Sequence, residues 1–298
     1  MFLMVGGTGA VGRLAARQLL QDGTQVRIIT RNPAAADDLR RQGVEVFQGD
    51  LLQPEFIREA LEDVSTLLIS VHSFLGLWRS TPARVDEQGV LRLIDLAREA
   101  GVDHVIYVSV QFSSPDNPVD VFQIKYRVER YLKESGLTYT ILRPNAFMEV
   151  WGDMVGKPVI KHGWSVIIGG GENKINFVSI RDVARFVVHS FRNSVLHNKV
   201  VDIAGPQNLT MNEVVEIYGR VAGISPRTLH IPLTLYRWAL LILWPVAPAF
   251  VQRMRAVMTY LDQFELSMSD DDSLSRYGEK ATRLEGVVRE QIDVKKLS

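Results

Sequence analysis

The first half of the chain alternates short apolar, β-branched runs with longer stretches of helical spacing, and this alternation constrains the fold more than any other feature. Strands that alternate with helices predict a parallel sheet covered by helices on both faces. Right-handed crossovers arrange such a sheet as a doubly wound α/β fold. The predicted strands lie at 2–5, 25–30, 44–50, 65–71, 104–110 and 137–144.

The regularity weakens after about Asn145, and this change sets the predicted domain boundary. We expect a nucleotide-binding domain over 1–150 and a smaller, partly interleaved lobe over 151–298. A late strand near 199–205 is a candidate to rejoin the first sheet. The 298 residues suffice for one large domain or two modest ones.

Composition narrows the class of function. Lys plus Arg and Asp plus Glu are equal at 34 each, so nothing indicates a nucleic-acid surface. The chain has no Cys, which removes disulfides, thiolate nucleophiles and Cys-based metal sites. The histidines lack metal-ligand spacing, and the acidic run Asp270–Asp272 is interpreted as a solvated loop. We therefore expect no metal site and a cytoplasmic protein.

One apolar segment, LTLYRWALLILWPVAPAFV at 233–251, leaves a membrane or protein contact open. It is short for a membrane span, and an arginine and two prolines interrupt it. A buried or groove-lining helix is one interpretation. The other is an interfacial helix with its tyrosine and tryptophans near the lipid headgroups.

The sequence VGGTGAVGR at 5–13 places Gly6, Gly9 and Gly12 between the first strand and the first helix. Only glycine permits the tight turn and the close approach of a pyrophosphate to the backbone. The helix that begins here directs free N–H groups and the positive end of its dipole at that anion. Because the motif lies in a βαβ unit, it predicts a dinucleotide site.

The end of the second strand bears on which dinucleotide is bound. An NAD-preferring site usually has an acid there to hold the ribose 2′-hydroxyl. This chain has Thr30, Arg31 and Asn32 instead, and Arg31 can form a fork to a 2′-phosphate. NADP(H) is therefore favoured over NAD(H), with a solvated surface arginine as the alternative. Ser70, at the end of the fourth strand, is expected to run beneath the nicotinamide ribose.

The helical stretch DVFQIKYRVERYLKE at 120–134 carries a lysine on its apolar side. Lys125 shares a face with Val121, Val128 and Leu132. A lysine there is costly unless it reaches solvent or meets a partner. One explanation is that Lys125 faces a cleft and binds a ribose. The alternative is that it passes the sheet edge and pairs with Glu129 on the surface.

These residues resemble the atypical short-chain dehydrogenase/reductases, specifically the NmrA-like group and its isoflavone-reductase-like relatives. The resemblance covers about residues 2–205 and implies a Rossmann fold. The matching segments are VGGTGAVGR, VRIITRNP, VFQGDL, DEQGVLRLIDLAREAGVDHVIYVSV, KYRVERYLKESGLTYTILRPNAFME and NFVSIRDVA.

The resemblance also implies how NADP(H) is held. Arg31 would hold the 2′-phosphate, and Asp50 and Leu51 would flank the adenine. Lys125 would bond the nicotinamide ribose, and a segment that begins with Pro144 and Asn145 would pass beside the nicotinamide. The pyrophosphate would be held by Gly6, Thr8, Gly9, Ala10, Val11 and Gly12.

The catalytic residues of the classical family are only partly present. There, a tyrosine protonates the alkoxide that forms as hydride arrives, while a lysine and a serine assist it. Ser109 matches the serine position and Lys125 the lysine, but Val121 stands where the tyrosine would be. In isoflavone-reductase-like enzymes a lysine at this position is itself the acid–base group. Lys125 and Ser109 are therefore the candidate catalytic residues.

Two functions follow from this pattern. The first is an NADP(H)-dependent reductase of a small, partly apolar molecule such as a quinone or an enone. The second is a non-catalytic NADP(H)-binding regulator or assembly protein, for which the resemblance supplies precedents, with a protein as its partner. A sugar-nucleotide epimerase is a third candidate, but it requires the tyrosine. Aromatic residues that could line a substrate pocket are Phe74, Trp78, Phe112, Phe147 and Trp151.

Overall fold

The computed structural model describes residues 1–77, 80–268, 274–278 and 280–297. The predicted loop Asp270–Asp272 and the candidate pocket residue Trp78 lie outside these residues. The strands are β1 Phe2–Val5, β2 Val26–Thr30, β3 Glu45–Gln48, β4 Thr66–Ile69, β5 His104–Val108, β6 Thr138–Pro144, β7 Ala146–Phe147, β8 Trp164–Ile168, β9 Ile175–Val178, β10 Lys199–Ile203, β11 Gln207–Leu209 and β12 Arg227–Ile231. The helices are α1 Ala10–Gln21, α2 Asp37–Arg40, α3 Pro54–Ala60, α4 Val90–Glu99, α5 Asp120–Glu134, α6 Asp153–His162, α7 Ile180–Arg192, α8 Met211–Ala222, α9 Leu233–Leu241, α10 Pro248–Gln263 and α11 Leu284–Leu297.

A seven-stranded sheet has the strand order β10-β6-β5-β4-β1-β2-β3. The pairs from β6 through β3 run parallel, with β1 between β2 and β4. This arrangement confirms the predicted doubly wound α/β fold. The direction of winding reverses between β1 and β4. In open sheets of this kind, ligands bind outside the carboxyl ends of the strands at that reversal.

Four of the five interior strands are buried along their whole length, as a sheet covered on both faces requires, and β6 is partly exposed. Every residue of β1, β2, β4 and β5 is buried, whereas β3 at the edge is partly exposed. Helix α1 packs closely against this sheet through the small buried residues Gly12, Ala15 and Ala16. The apolar, β-branched character of the strands therefore follows from their position in the core.

The chain forms two compact units. The first contains 1–144 and 183–202, and the second contains 145–182 and 203–298. The boundary at residue 150 that we inferred from the sequence stays a prediction. Strand β10, close to the late strand expected at 199–205, lies at the edge of the seven-stranded sheet.

The second unit contains a three-stranded sheet, β11-β9-β7, and a two-stranded parallel sheet, β12-β8. The hydroxyl of Tyr218 on α8 donates to Asp153 on α6 at 2.5 Å. Among the described residues, no helix has both the length and the apolar character needed to cross a bilayer. A cavity of about 240 Å³ lies in this unit and is lined mainly by apolar side chains, among them Met154, Val166, Ile167, Met211, Met258 and Leu261.

Candidate cofactor and active site

The glycine loop follows β1 and bends tightly beside the end of β4. Gly6 has a φ of +96°, and a Cβ there would overlap the carbonyl of Ser70. A Cβ at Gly12 would lie 2.5 Å from the carbonyl oxygen of Gly6. Neither position therefore accepts a side chain. The loop keeps bare backbone at the carboxyl ends of β1 and β4, where the fold places its ligands.

The first turn of α1 is suited to an anion. Its N-cap, Gly9, has no side-chain acceptor for the N–H groups of that turn, which contains no acidic residue. Gly9 and Ala10 are exposed, Thr8 is partly exposed, and Val11 is buried. These features fit a pyrophosphate held by backbone N–H groups at a helix N-terminus. The roles of these loop residues stay predictions.

Arg31 follows β2 and is exposed. Its guanidinium Nη1 lies 3.3 Å from the hydroxyl oxygen of Ser80, a neutral partner. Nearby in sequence, Asp38 accepts from Arg13 at 2.5 Å and from Arg17 at 2.9 Å. The hydrogen bond from Arg13 lowers the pKa of Asp38 to about 2. Arg13 is thus bound to a carboxylate, whereas the positive charge of Arg31 is available to a phosphate.

The residues proposed to flank adenine differ in exposure. Asp50 is partly exposed, and its Oδ1 accepts the N–H of Leu52 at 3.0 Å, which fixes the turn after β3. Leu51 is buried. A Cβ at Gly89 would lie 2.9 Å from its Cγ, so the two residues are closely packed. Their predicted roles remain untested.

Lys125 lies on the buried face of α5, as the helical spacing predicted. Its ammonium nitrogen donates to the carbonyl of Val71 at 3.1 Å and to that of Val108 at 3.4 Å. These carbonyls follow β4 and end β5, respectively. Its Nζ also lies 5.0 Å from the centroid of the Tyr107 ring. The helix therefore delivers a buried cation to the carboxyl ends of two central strands.

The buried partner of Lys125 is Asp86, whose Oδ1 lies 3.6 Å from the lysine Nζ. Asp86 comes from a π-helical turn, Ala83–Gly89, that precedes α4. Its Oδ2 accepts the backbone N–H of Ser73 at 3.0 Å and also the Ser73 hydroxyl. We did not identify Asp86 from the sequence. The signal that could have found it is an acidic residue in the first turn of a helix that packs beside the lysine.

Burial and charge compete at this pair. Burial lowers the pKa of Lys125, while the Asp86 carboxylate opposes that change. Tyr107 lies beside the pair on β5, and its hydroxyl is buried without a hydrogen-bond partner among the described residues. Burial, and secondarily the charge of Asp86, raises the pKa of Tyr107 far above its usual range. Tyr107 is therefore held as a neutral phenol.

Glu129 does not pair with Lys125 on the surface, so that alternative was wrong. Glu129 is buried and accepts from Arg143 on β6, with Nη2 at 2.5 Å and Nε at 2.9 Å. The hydroxyl of Ser109 donates to Glu129 Oε1 at 2.5 Å, and that of Ser113 at 2.9 Å. The Ser109 proton is thus directed at a carboxylate. Its role as a catalytic residue stays a prediction.

The loop after β5 has a constrained backbone. The N–H of Gln111 donates to the carbonyl of Pro144 at 3.0 Å, and its buried Oε1 has no partner among the described residues. Phe112 has a φ of +62°, an uncommon value for a residue other than glycine. The side chain of Asn117 donates to the Phe112 carbonyl at 3.2 Å. This loop is therefore fixed where β5 ends.

Other candidates have structural contacts. In the second unit, Asn145 Nδ2 donates to the carbonyl of Leu266 at 3.1 Å, and its Oδ1 accepts from Ala146 at 2.8 Å. In the first unit, exposed His72 stacks on Phe74 with ring centroids 5.6 Å apart. Within the described residues, no group of three or more His, Asp or Glu side chains is placed to hold a metal ion.

The sheet order, the glycine loop at the reversal and the cation beyond β4 and β5 define a dinucleotide-binding Rossmann protein. The chain belongs to the NmrA-like family, whose model matches residues 1–285. The expectation drawn from the glycine loop and its neighbouring segments is thereby confirmed at the level of the family.

Two kinds of protein are among the relatives that this chain resembles. A photosystem II assembly factor, Ycf39 of Trieres chinensis, is 27% identical over 79% of this chain and 73% of its own. Quinone oxidoreductase 2 of Escherichia coli is 28% identical over 75% of both chains. The chain spans as little as 59% of the length of the curated relatives it matches.

A solved structure shares the whole fold. The NADPH-dependent quinone oxidoreductase QOR2 from Escherichia coli, in complex with NADPH, superposes with a TM-score of 0.81 at 24% identity. The match covers 98% of this chain and 100% of the other. The fold is thus one that NAD(P)H-dependent reductases use.

Proposed function

We propose that this protein is an NADP(H)-dependent oxidoreductase that reduces a small, partly apolar acceptor such as a quinone or an enone. The observation that carries the proposal is the ammonium of Lys125, buried at the carboxyl ends of β4 and β5. Beside β4, the glycine loop keeps bare backbone suited to a pyrophosphate. A cation in that position is suited to bind a ribose and to stabilise negative charge near it.

The proposal of NADP(H) as the cofactor rests on two groups of residues. The glycine loop and the first turn of α1 would bind the pyrophosphate. Arg31 would bind the 2′-phosphate, since the Ser80 hydroxyl that its guanidinium contacts is neutral and leaves its charge uncompensated. The absence of an acid in the run Thr30-Arg31-Asn32 supports NADP(H) over NAD(H).

The proton donors of the first unit limit the kind of acceptor. NADPH supplies a hydride when it is bound, and a simple ketone or aldehyde then needs a strong donor for its alkoxide. Position 121 offers only a buried valine, and the Ser109 hydroxyl is directed at Glu129. A hydroquinone anion is a much weaker base than an alkoxide. Water can therefore protonate it once the hydride has been transferred.

The Lys125 ammonium donates to the carbonyls of Val71 and Val108, and the Asp86 carboxylate lies 3.6 Å from its Nζ as an ion-pair partner. This arrangement favours a fixed charge over a group that donates a proton in each cycle. The 28% identical quinone oxidoreductase 2 of Escherichia coli adds support for a quinone.

The test measures NADPH oxidation with a panel of quinones and enones and a matched panel of simple aldehydes and ketones. We expect turnover of a quinone or an enone. Simple carbonyls should react at least about 100-fold more slowly, the usual contribution of a general acid. Lys125→Met should abolish turnover, while Lys133→Met, on the exposed face of the same helix, should not. NADPH binding without oxidation by any quinone or enone would contradict the proposal.

A second candidate is a non-catalytic NADP(H)-binding regulator or assembly protein. One observation in its favour is that Lys125 and Ser109 already bind partners within the protein, Asp86 and Glu129, respectively. Another is the 27% identity to a photosystem II assembly factor. A protein partner that co-purifies only with NADPH-loaded protein would support it. Loss of turnover with retained NADPH binding in Lys125→Met would count against it.

A further inference from the structure

The helical hairpin of α9 and α10 ends in an exposed apolar tip, here called the elbow and defined as residues 241–247. The chain leaves α9 through consecutive turns, with Leu243 donating to the carbonyl of Leu240 at 3.0 Å. Ala247 donates to the carbonyl of Leu243 at 2.9 Å. The elbow is therefore held by its own backbone hydrogen bonds rather than by the burial of its side chains.

Large apolar side chains project from α9 and the elbow. Trp238 is 71% exposed, Ile242 is 79% exposed and Val246 is 71% exposed. Trp238 and Ile242 are four residues apart at the end of α9, a spacing that places helical side chains on one face, and Val246 follows in the turns of the elbow. Single exposed apolar residues are common on soluble proteins, but a contiguous set marks a surface that binds something. Within the elbow, residues 241–246 are all exposed.

The stretch of sequence that contains the elbow carries formal charge of one sign, although the whole chain is neutral. No Asp or Glu occurs between Glu216 and Asp262, while five arginines do. Arg237 on α9 donates to the hydroxyl of Thr259 on α10 at 2.7 Å, a neutral acceptor that leaves its charge uncompensated. The apolar tip thus belongs to an acid-free, cationic segment. The five arginines are Arg220, Arg227, Arg237, Arg253 and Arg255.

We propose that the elbow docks the second unit onto an anionic lipid bilayer. Trp238, Ile242 and Val246 enter the boundary between headgroups and acyl chains, and Arg237 and Arg255, the partly exposed arginines of the hairpin, contact the anionic headgroups. Tryptophan favours this depth because its ring is apolar and its indole N–H is polar. An anionic bilayer has an apolar interior and negative headgroups. The exposed apolar side chains and the arginines of this segment complement these two properties. The inference does not depend on the reductase proposal.

The test is flotation of the purified full chain with vesicles of phosphatidylcholine containing about 30% phosphatidylglycerol, against vesicles of phosphatidylcholine alone. We expect binding to the anionic vesicles that weakens as salt rises, because exposed charges are screened. Val246→Asp should lower the partition coefficient about tenfold or more, the effect of losing one buried apolar side chain.

The matched control is Val195→Asp, because Val195 has the same residue type and the same 71% exposure but lies in the first unit. It should bind vesicles like the wild type. Circular dichroism should show that both variants are folded. Brominated lipid should quench the fluorescence of the wild type more than that of Trp238→Phe.

Two results would overturn the proposal. One is vesicle binding that is absent in the wild type, or that Val246→Asp and Val195→Asp change equally. The other is a lipid-free dimer in sedimentation velocity that Val246→Asp dissociates, which would assign the elbow to a contact between two copies of this chain.

Discussion

The buried ion pair between Lys125 and Asp86 makes a quantitative prediction. Their side chains are 4% and 0% exposed, with Nζ and Oδ1 3.6 Å apart. At an effective dielectric constant of about 20, two unit charges at this distance attract each other by about 4–5 kcal/mol. Lys125→Met leaves a buried carboxylate without its cation, and Asp86→Asn leaves a buried ammonium without its anion. Each variant should lose about 3–5 kcal/mol of unfolding free energy.

A double variant separates the interaction energy of the ion pair from the contributions of its two side chains. It removes both charges, so it leaves no uncompensated buried ion. The loss in Lys125→Met with Asp86→Asn should therefore be smaller than the sum of the single losses by about 2–4 kcal/mol. Urea-induced unfolding at pH 7, followed by circular dichroism, measures all four proteins. Lys133→Met, an exposed change on the same helix, should lie within about 0.5 kcal/mol of the wild type.

The pH dependence of the unfolding free energy provides a second measurement of the interaction between Lys125 and Asp86. Asp86 raises the pKa of Lys125 against burial, so Asp86→Asn should lower that pKa further. A lysine whose folded pKa lies below its unfolded value destabilises the fold fully below the folded pKa. The penalty then shrinks as the pH rises towards about 10.4, the unfolded value. The deficit of Asp86→Asn should thus be largest near neutrality and smaller at alkaline pH. A coupling energy below about 1 kcal/mol, or a deficit independent of pH, would refute the reasoning.

Three further predictions concern other groups of the first unit. Glu129→Gln should cost about 2–4 kcal/mol in urea unfolding, because Glu129 is buried in an ion pair. Glu134→Gln, in an exposed ion pair on the same helix, should cost less than about 1 kcal/mol. Gly6→Ala should abolish NADPH binding measured by calorimetry, because its φ is +96° and a Cβ would overlap backbone. Arg31→Ala should weaken NADPH binding about 10–100-fold and leave NADH binding unchanged, whereas exposed Arg41→Ala should affect neither.

Each of these predictions has a contrary outcome. Equal losses for Glu129→Gln and Glu134→Gln would mean that burial does not set the strength of the ion pair. Retained affinity in Gly6→Ala would place the dinucleotide away from the loop. A parallel loss of NADPH and NADH affinity in Arg31→Ala would remove the argument for the 2′-phosphate.

The sequence predicted the features that depend on local patterns. Alternating strands and helices specify a doubly wound sheet, since each period is set by residues close together in the chain. The glycine loop could be recognised because its glycine spacing, from Gly6 to Gly12, is a local pattern between a strand and a helix. The position of Lys125 on the apolar face of its helix followed from helical spacing, whereas the spacing left open whether the ammonium is buried.

The partners of the buried charges could not be predicted in the same way. Asp86 and Lys125 are far apart in the chain, and a π-helical turn sets the direction of Asp86. For Glu129, the spacing of four residues from Lys125 suggested the wrong partner, because periodicity does not distinguish a shared helix face from a shared ion pair. Arg143 comes from strand β6, and its guanidinium binds Glu129 on helix α5. Such choices depend on the packed structure.

The Lys125–Asp86 pair bears directly on the proposed chemistry. A lone buried ammonium would stabilise any developing anion strongly, including an alkoxide. Paired with Asp86, the lysine presents a dipole whose net charge is zero, and its effect on an anion is correspondingly weaker. An acceptor whose negative charge is delocalised needs less stabilisation than one whose charge stays on a single oxygen. Val121 and Asp86 therefore both favour an acceptor whose negative charge is delocalised. Val121 stands in place of a proton donor, and Asp86 weakens the stabilisation that the Lys125 ammonium can give to an anion.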